Sequence, residues 1–178
     1  MPGCLEQAKT FCRNYTKVRG ATVRGTIPLM PTTPADTVVQ FDQHPIWEGN
    51  NYFDSTKPTR LKVPNNRSGR YFIHAEIQWE RSPSNQVFSF GHSKEGFFGA
   101  FLVRNGFTPP SKREAQSIAA VVGGSTLVSQ IVMLETQLVA NDFIELYVFQ
   151  RVPQDPTAGM LSIQVNAELT IRRLGRSA

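Results

Sequence analysis

The stretch "RYFIHAEIQWE", residues 70–80, alternates with a period of two: Tyr71, Ile73, Ala75, Ile77 and Trp79 fall on one side, and His74, Glu76, Gln78 and Glu80 on the other. An extended chain points successive side chains to opposite faces, so this run is a strand with one face in a core and one in water. Outward from it, short runs rich in β-branched and aromatic residues are separated by Gly, Pro, Asn and Asp clusters, the spacing of an all-β sandwich or barrel. Further strands are expected at 38–42, 60–64, 87–90, 97–105, 116–122, 127–134, 143–150 and 161–172. Turns are expected at Pro64-Asn65-Asn66, Ser82-Pro83-Ser84, Asn105-Gly106, Gly123-Gly124 and Asn141-Asp142, whose residues accept tight or positive-φ geometry. The run "REAQSIAA", residues 113–120, admits a helical turn as an alternative to a strand.

The run "DFIELYVFQ", residues 142–150, departs from the half-buried pattern. Ile144, Leu146 and Val148 point one way while Phe143, Tyr147 and Phe149 point the other, interrupted only by Glu145. An antiparallel strand of a sandwich ordinarily shows water one face. The second apolar face therefore needs a cover, either a loop or another subunit. Aromatic residues are enriched at interface centres, which favours the subunit and makes Phe143, Tyr147 and Phe149 the candidate interface.

At 178 residues the chain is expected to be one domain of ordinary size, burying about 70% of its unfolded surface. Residues 1–36 read as an extended basic N-terminal arm and residues 37–178 as the β-sandwich domain. Within the arm, "FCRNYTKVRGATVRG", residues 11–25, shows neither helical nor strand periodicity. Its Lys9, Arg13, Lys17, Arg19 and Arg24 against Glu6 and Asp36 give it +3 of the chain's net +5, leaving the body near neutrality. The few aromatic residues among these charges do not make the stacking pattern that a nucleic-acid platform requires, so an acidic protein surface is preferred over nucleic acid as the partner. Leu5, Phe11, Val18, Val23 and Ile27 are candidate apolar anchors, with the five basic residues orienting the arm. Fully extended, such an arm reaches up to ~120 Å, enough to leave its own subunit.

Three functional classes are disfavoured. The histidines His44, His74 and His92 have no Cys or carboxylate at ligand spacing, so no metal is expected. Cys4 and Cys12 both lie in the arm, so the body has no disulfide framework. No nucleophile elbow, P-loop or dinucleotide fingerprint is present, and the glycines of "GHSKEGFFGAF", residues 91–101, precede strand residues rather than a helix. The chain reads as no enzyme, with no cofactor and no small-molecule substrate. Glu6, Lys9 and Arg13 stand where a signal peptide would be apolar, and no run is long enough for a membrane helix.

In order and spacing, "VVQFDQHPIWEGNNYFDSTKPTRLKVPNNRSGRYFIHAEIQW", "FGAFLVRNG", "STLVSQIVMLETQLVANDFIELYVFQ" and "LSIQVNAELTIRRLG" resemble the jelly roll shared by tumour necrosis factor (TNF) and the globular heads of complement proteins, in its bacterial and phage form. Phe53-Asp54, the run from Pro58 to Pro64 and Gly69 to Tyr71 carry the resemblance, which covers about residues 38–175. Asn141-Asp142 stands in place of the usual Gly-Asp, and residues 107–112 look like an inserted loop. The resemblance implies a homotrimeric jelly-roll β-sandwich with the aromatic-faced strand near the three-fold axis, making Phe143, Tyr147 and Phe149 a trimer interface.

Together these readings point to a structural virion protein: a bacteriophage capsid decoration, or cement, protein on the capsid exterior, made in the host cytoplasm. Its partners would be itself and the major capsid protein, with no membrane. The alternative is the receptor- or glycan-binding tip of a phage tail fibre, which would ordinarily carry a stalk of heptads or Gly-x-y repeats that the arm lacks.

Overall fold

The computed structural model describes residues 19–28, 36–42, 44–49, 51–81, 96–106, 113–121, 127–151 and 163–175. These form ten strands, β1 Gly20–Ile27, β2 Thr37–Val38, β3 Trp47–Gly49, β4 Arg60–Lys62, β5 Gly69–Arg81, β6 Gly96–Arg104, β7 Arg113–Val121, β8 Leu127–Leu138, β9 Phe143–Arg151 and β10 Ile163–Gly175. They make two antiparallel sheets. The first has the order β3-β1-β10-β5-β8; the second runs β2-β9-β6-β7, with β4 also on β9.

The 70–80 stretch lies in β5, between β10 and β8. Its Tyr71, Ile73, Ala75, Ile77 and Trp79 are buried, as the alternation requires. They meet Phe98, Ala100 and Leu102 of β6 and Ile144, Leu146 and Val148 of β9 in one core between the sheets. Trp79 and Phe98 stack face to face across it, centroids 4.6 Å apart. Gln130 of β8 is the polar residue within this contact. It accepts from Trp79 Nε1 at 2.7 Å and donates its amide to the Phe98 carbonyl at 3.0 Å, so both ends of a buried amide are satisfied.

Three of the expected turns form around asparagines with positive φ, Asn66, Asn105 and Asn141, and Gly106 follows Asn105 with φ 88°. Asn tolerates this region better than other non-glycine residues, which is why these turns were legible. Residues 113–121 are strand rather than helical turn, because pairing with β6 satisfies their backbone groups. The expected strand at 87–90, the turns at 82–84 and 123–124, and Cys4, Cys12 and His92 lie outside the described residues.

The largest departure is at the N-terminal side. Residues 20–27, read as arm, are β1, which lies within the first sheet between β3 and β10. The strand belongs to the sandwich rather than preceding it. Its alternation exists, with Ala21, Val23 and Gly25 inward and Thr22, Arg24 and Thr26 outward, but the inward residues are too small to register as an apolar stripe. Gly25 is required because the chain crosses tightly there: a Cβ would stand 2.2 Å from the Gln40 carbonyl oxygen. β3 was also missed; three residues are too short to show a period.

Candidate association surface

Each sheet has an outer face, and the apolar content of these faces differs from the sequence expectation. On the second sheet, Phe101 and Val103 of β6 and Phe149 of β9 form a separate buried cluster, with Tyr147 packed against it. Phe101 and Tyr147 stack at 5.4 Å, and the Arg113 guanidinium lies 4.2 Å over the Phe101 ring. Arg113 is held there by Asp36 at 3.4 Å and Gln116 at 3.0 Å. The end of the Phe149 ring lies against Gly99, where any Cβ would stand 2.1 Å from it. The consequence for the candidate interface is direct. Phe149 is 5% exposed within the single chain, so little of it is left to bury against another subunit. Tyr147 and Phe143 are half-buried, and Arg60 stacks 4.3 Å over Phe143. Between them Glu145 accepts a hydrogen bond from Thr59 at 3.2 Å, and burial pushes its carboxyl above the usual range. Burial likewise raises the Tyr147 phenol. Beside this cluster, Phe97 and Ile118 remain exposed.

The first sheet carries exposed apolar residues at both of its edges. On β8, Ile131 and Met133 point outward, 53% and 60% exposed. On the opposite edge strand, Trp47 of β3 and the preceding Ile46 are 38% and 53% exposed. Between the edges the outer face is polar and arranged in rows by the register. Arg24, Glu168, Glu76 and Ile131 follow one another across β1, β10, β5 and β8; in the next row come Thr22, Thr170, His74 and Met133. Arg24 pairs with Glu168, and Arg70 with Glu135. A hollow of about 360 Å³ lies over Arg24, Glu76, Gln78, Asn166, Ala167 and Glu168. Phe72 stacks on His74 with centroids 6.3 Å apart, and His74 Nε2 is 3.7 Å from Glu76 Oε1.

Of the candidate arm residues, Leu5, Lys9, Phe11, Arg13, Lys17 and Val18 lie outside the described residues. The other four belong to the sandwich. Val23 is fully buried, Ile27 packs against the core, Arg24 is tied to Glu168, and the Arg19 carbonyl accepts from the Arg173 backbone N–H at 2.8 Å. Val23 and Ile27 serve the core, Arg24 is engaged within the sheet, and Arg19 is fixed through its backbone. Ile131 and Met133 were missed although the signal was present. In "LVSQIVMLETQL" they alternate with Val132 and Leu134, the same two-faced pattern that singled out β9.

Among the described residues no three His, Cys, Asp or Glu side chains group as metal ligands, and no helix is long and apolar enough to cross a membrane.

No protein-family model matches the chain, and no curated protein matches it. Solved structures do. Murine APRIL, crystallised at pH 8.0, aligns with 88% of this chain and all of its own, at 12% identity and a TM-score of 0.51. The globular domain of a zebrafish complement 1qA protein aligns with 89% of this chain and all of its own, at 14% identity and a TM-score of 0.49. The fold is a TNF-like jelly roll. At such identity the likeness concerns the path of the chain alone, and function must come from its own surface.

Proposed function

We propose that the protein acts by assembly: a homotrimeric jelly roll that decorates a bacteriophage capsid from the outside. The observation that carries the reading is the pair of exposed apolar patches at opposite edges of one sheet, Ile131 with Met133 and Ile46 with Trp47. A two-fold contact buries one patch against itself and leaves the other in water. A head-to-tail contact sets one patch against the other and, where the rotation closes, leaves neither exposed. Exposed large apolar patches on a soluble sandwich mark such contacts. Phe143, Tyr147 and Phe149 then act chiefly within the subunit, with Tyr147 and Phe143 at most on the rim of a contact.

The capsid protein as partner is favoured by two features. Phe97 and Ile118 stay exposed on the outer face of the other sheet, turned away from such a ring. The residues ahead of β1 hold Lys9, Arg13, Lys17 and Arg19 against Glu6 alone, suited to an acidic shell surface.

The test is the molar ratio of this chain to the major capsid protein in purified virions, by gel densitometry. A ratio on the scale of the shell's own symmetry positions is expected. A few copies per particle would overturn the decoration role and leave the tail-fibre tip.

A further inference from the structure

We propose that the outer face of the first sheet is a proton-linked association surface, on which protonation of His74 tightens binding to a second copy. This rests on the head-to-tail reading above and adds a property that the apolar patches do not have.

The register places Glu76 directly opposite Glu168, a like-charge pair across adjacent strands. Glu168 is balanced by Arg24, whose Nε donates to it at 3.1 Å. Glu76 has no such partner: among the described residues its one ion-pair contact is His74, which counts only when the imidazole is protonated. The other charged groups facing His74 come from three strands. On β5 itself there is Arg70 beyond Phe72, paired with Glu135 of β8; on β10 there are Glu168, already paired, and the exposed Arg172, both diagonal to it. Glu76 is therefore the carboxylate beside the β8 patch whose one ion-pair contact, among the described residues, is His74.

Its position makes the imbalance matter. Ile131 is the register partner of Glu76, and Met133 that of His74. A second copy closing over the two apolar side chains takes water from both polar ones. A carboxylate that loses water without a cation beside it opposes the contact; with a cation at hydrogen-bonding range the opposition falls. Association thus takes up a proton at His74. By linkage it is favoured as pH falls through the imidazole range and weakened as pH rises.

Sedimentation of the full chain over a concentration series, at about pH 5.5 and about pH 8, reads this directly. Association should be about tenfold tighter at the lower pH, the equivalent of one pK unit of linkage. His74→Gln should remove the difference by holding the weaker value at both. Glu76→Gln should also remove it, but by holding the tighter value at both, an outcome that a merely structural role for His74 does not produce. Equal wild-type association at the two pH values, or an undiminished pH effect in Glu76→Gln, would overturn the proposal. Met133→Glu separates the failures. If it abolishes association while the wild type shows no pH effect, the proton linkage alone is wrong; if it leaves association intact, the surface is wrong and the proposal falls with it.

Discussion

Gln130 carries a buried polar contact between the two sheets, and its cost of removal follows from its neighbours. Gln130→Leu keeps the volume but leaves the Trp79 Nε1–H and the Phe98 carbonyl without their partner in a dry core. Stranding buried groups costs about 1–3 kcal/mol, so urea unfolding of this variant should show that loss. Gly99 tests the opposite error. Gly99→Ala drives a methyl into the Phe149 ring, and overpacking of about 1–3 kcal/mol is expected, measured in the same way. Glu145 gives a sign that can be checked with pH. Burial raises its carboxyl pKa in the folded state, so the folded chain binds this proton more tightly than the unfolded chain does. Its contribution is therefore most favourable at low pH and is lost as pH rises through the folded value. Glu145→Gln should stabilise the protein near neutrality, and the gain should vanish in acid below about pH 4. A variant equally stabilised at both would assign the effect to something other than this ionisation.

At the scale of elements, β1 decides what a truncation does. Were residues 1–36 a free arm, their deletion would leave an intact domain. In the sandwich, that deletion removes the strand between β3 and β10, strips Ala21 and Val23 from the core, and exposes the whole β10 edge. The truncated chain is expected to lose its cooperative thermal transition, followed by circular dichroism, or to aggregate through the new edge. A soluble truncated chain with the full-length melting temperature would return β1 to the arm. The β8 and β9 strands make a second point about elements. Both carry apolar residues on two faces, though only β9 is singled out by the sequence reading, and the outer side of β9 is covered within the chain by Phe101 and Arg113, while that of β8 is open. Periodicity reports that a face is apolar; it has no access to what comes to rest on it.

For the whole molecule, head-to-tail association predicts complementation. Trp47→Asp disables one patch and Met133→Glu the other, and each variant alone should be monomeric by light scattering. Mixed, they retain one intact pair of patches and should form a heterodimer that cannot grow further. A two-fold contact through β8 would instead leave Trp47→Asp dimeric. Under the proposed decoration role, Phe97→Asp together with Ile118→Asp should keep the oligomer and weaken binding to undecorated shells, separating the two surfaces.

What the sequence by itself determined is the class and most of the strand plan. The alternation of residues 70–80, the asparagine turns and the buried half of β9 are local properties, set by two-residue periodicity and by the few residues that tolerate positive φ. Tertiary structure alone decided where 20–27 belongs and which two-faced strand is open. β1 is built from small inward residues and glycines whose worth lies in the close approach of other strands, and close approach leaves no mark in a hydrophobic pattern. Likewise Glu76, Glu168 and Arg24 are distant in sequence and become a row only through register, which is set by the pairing of strands.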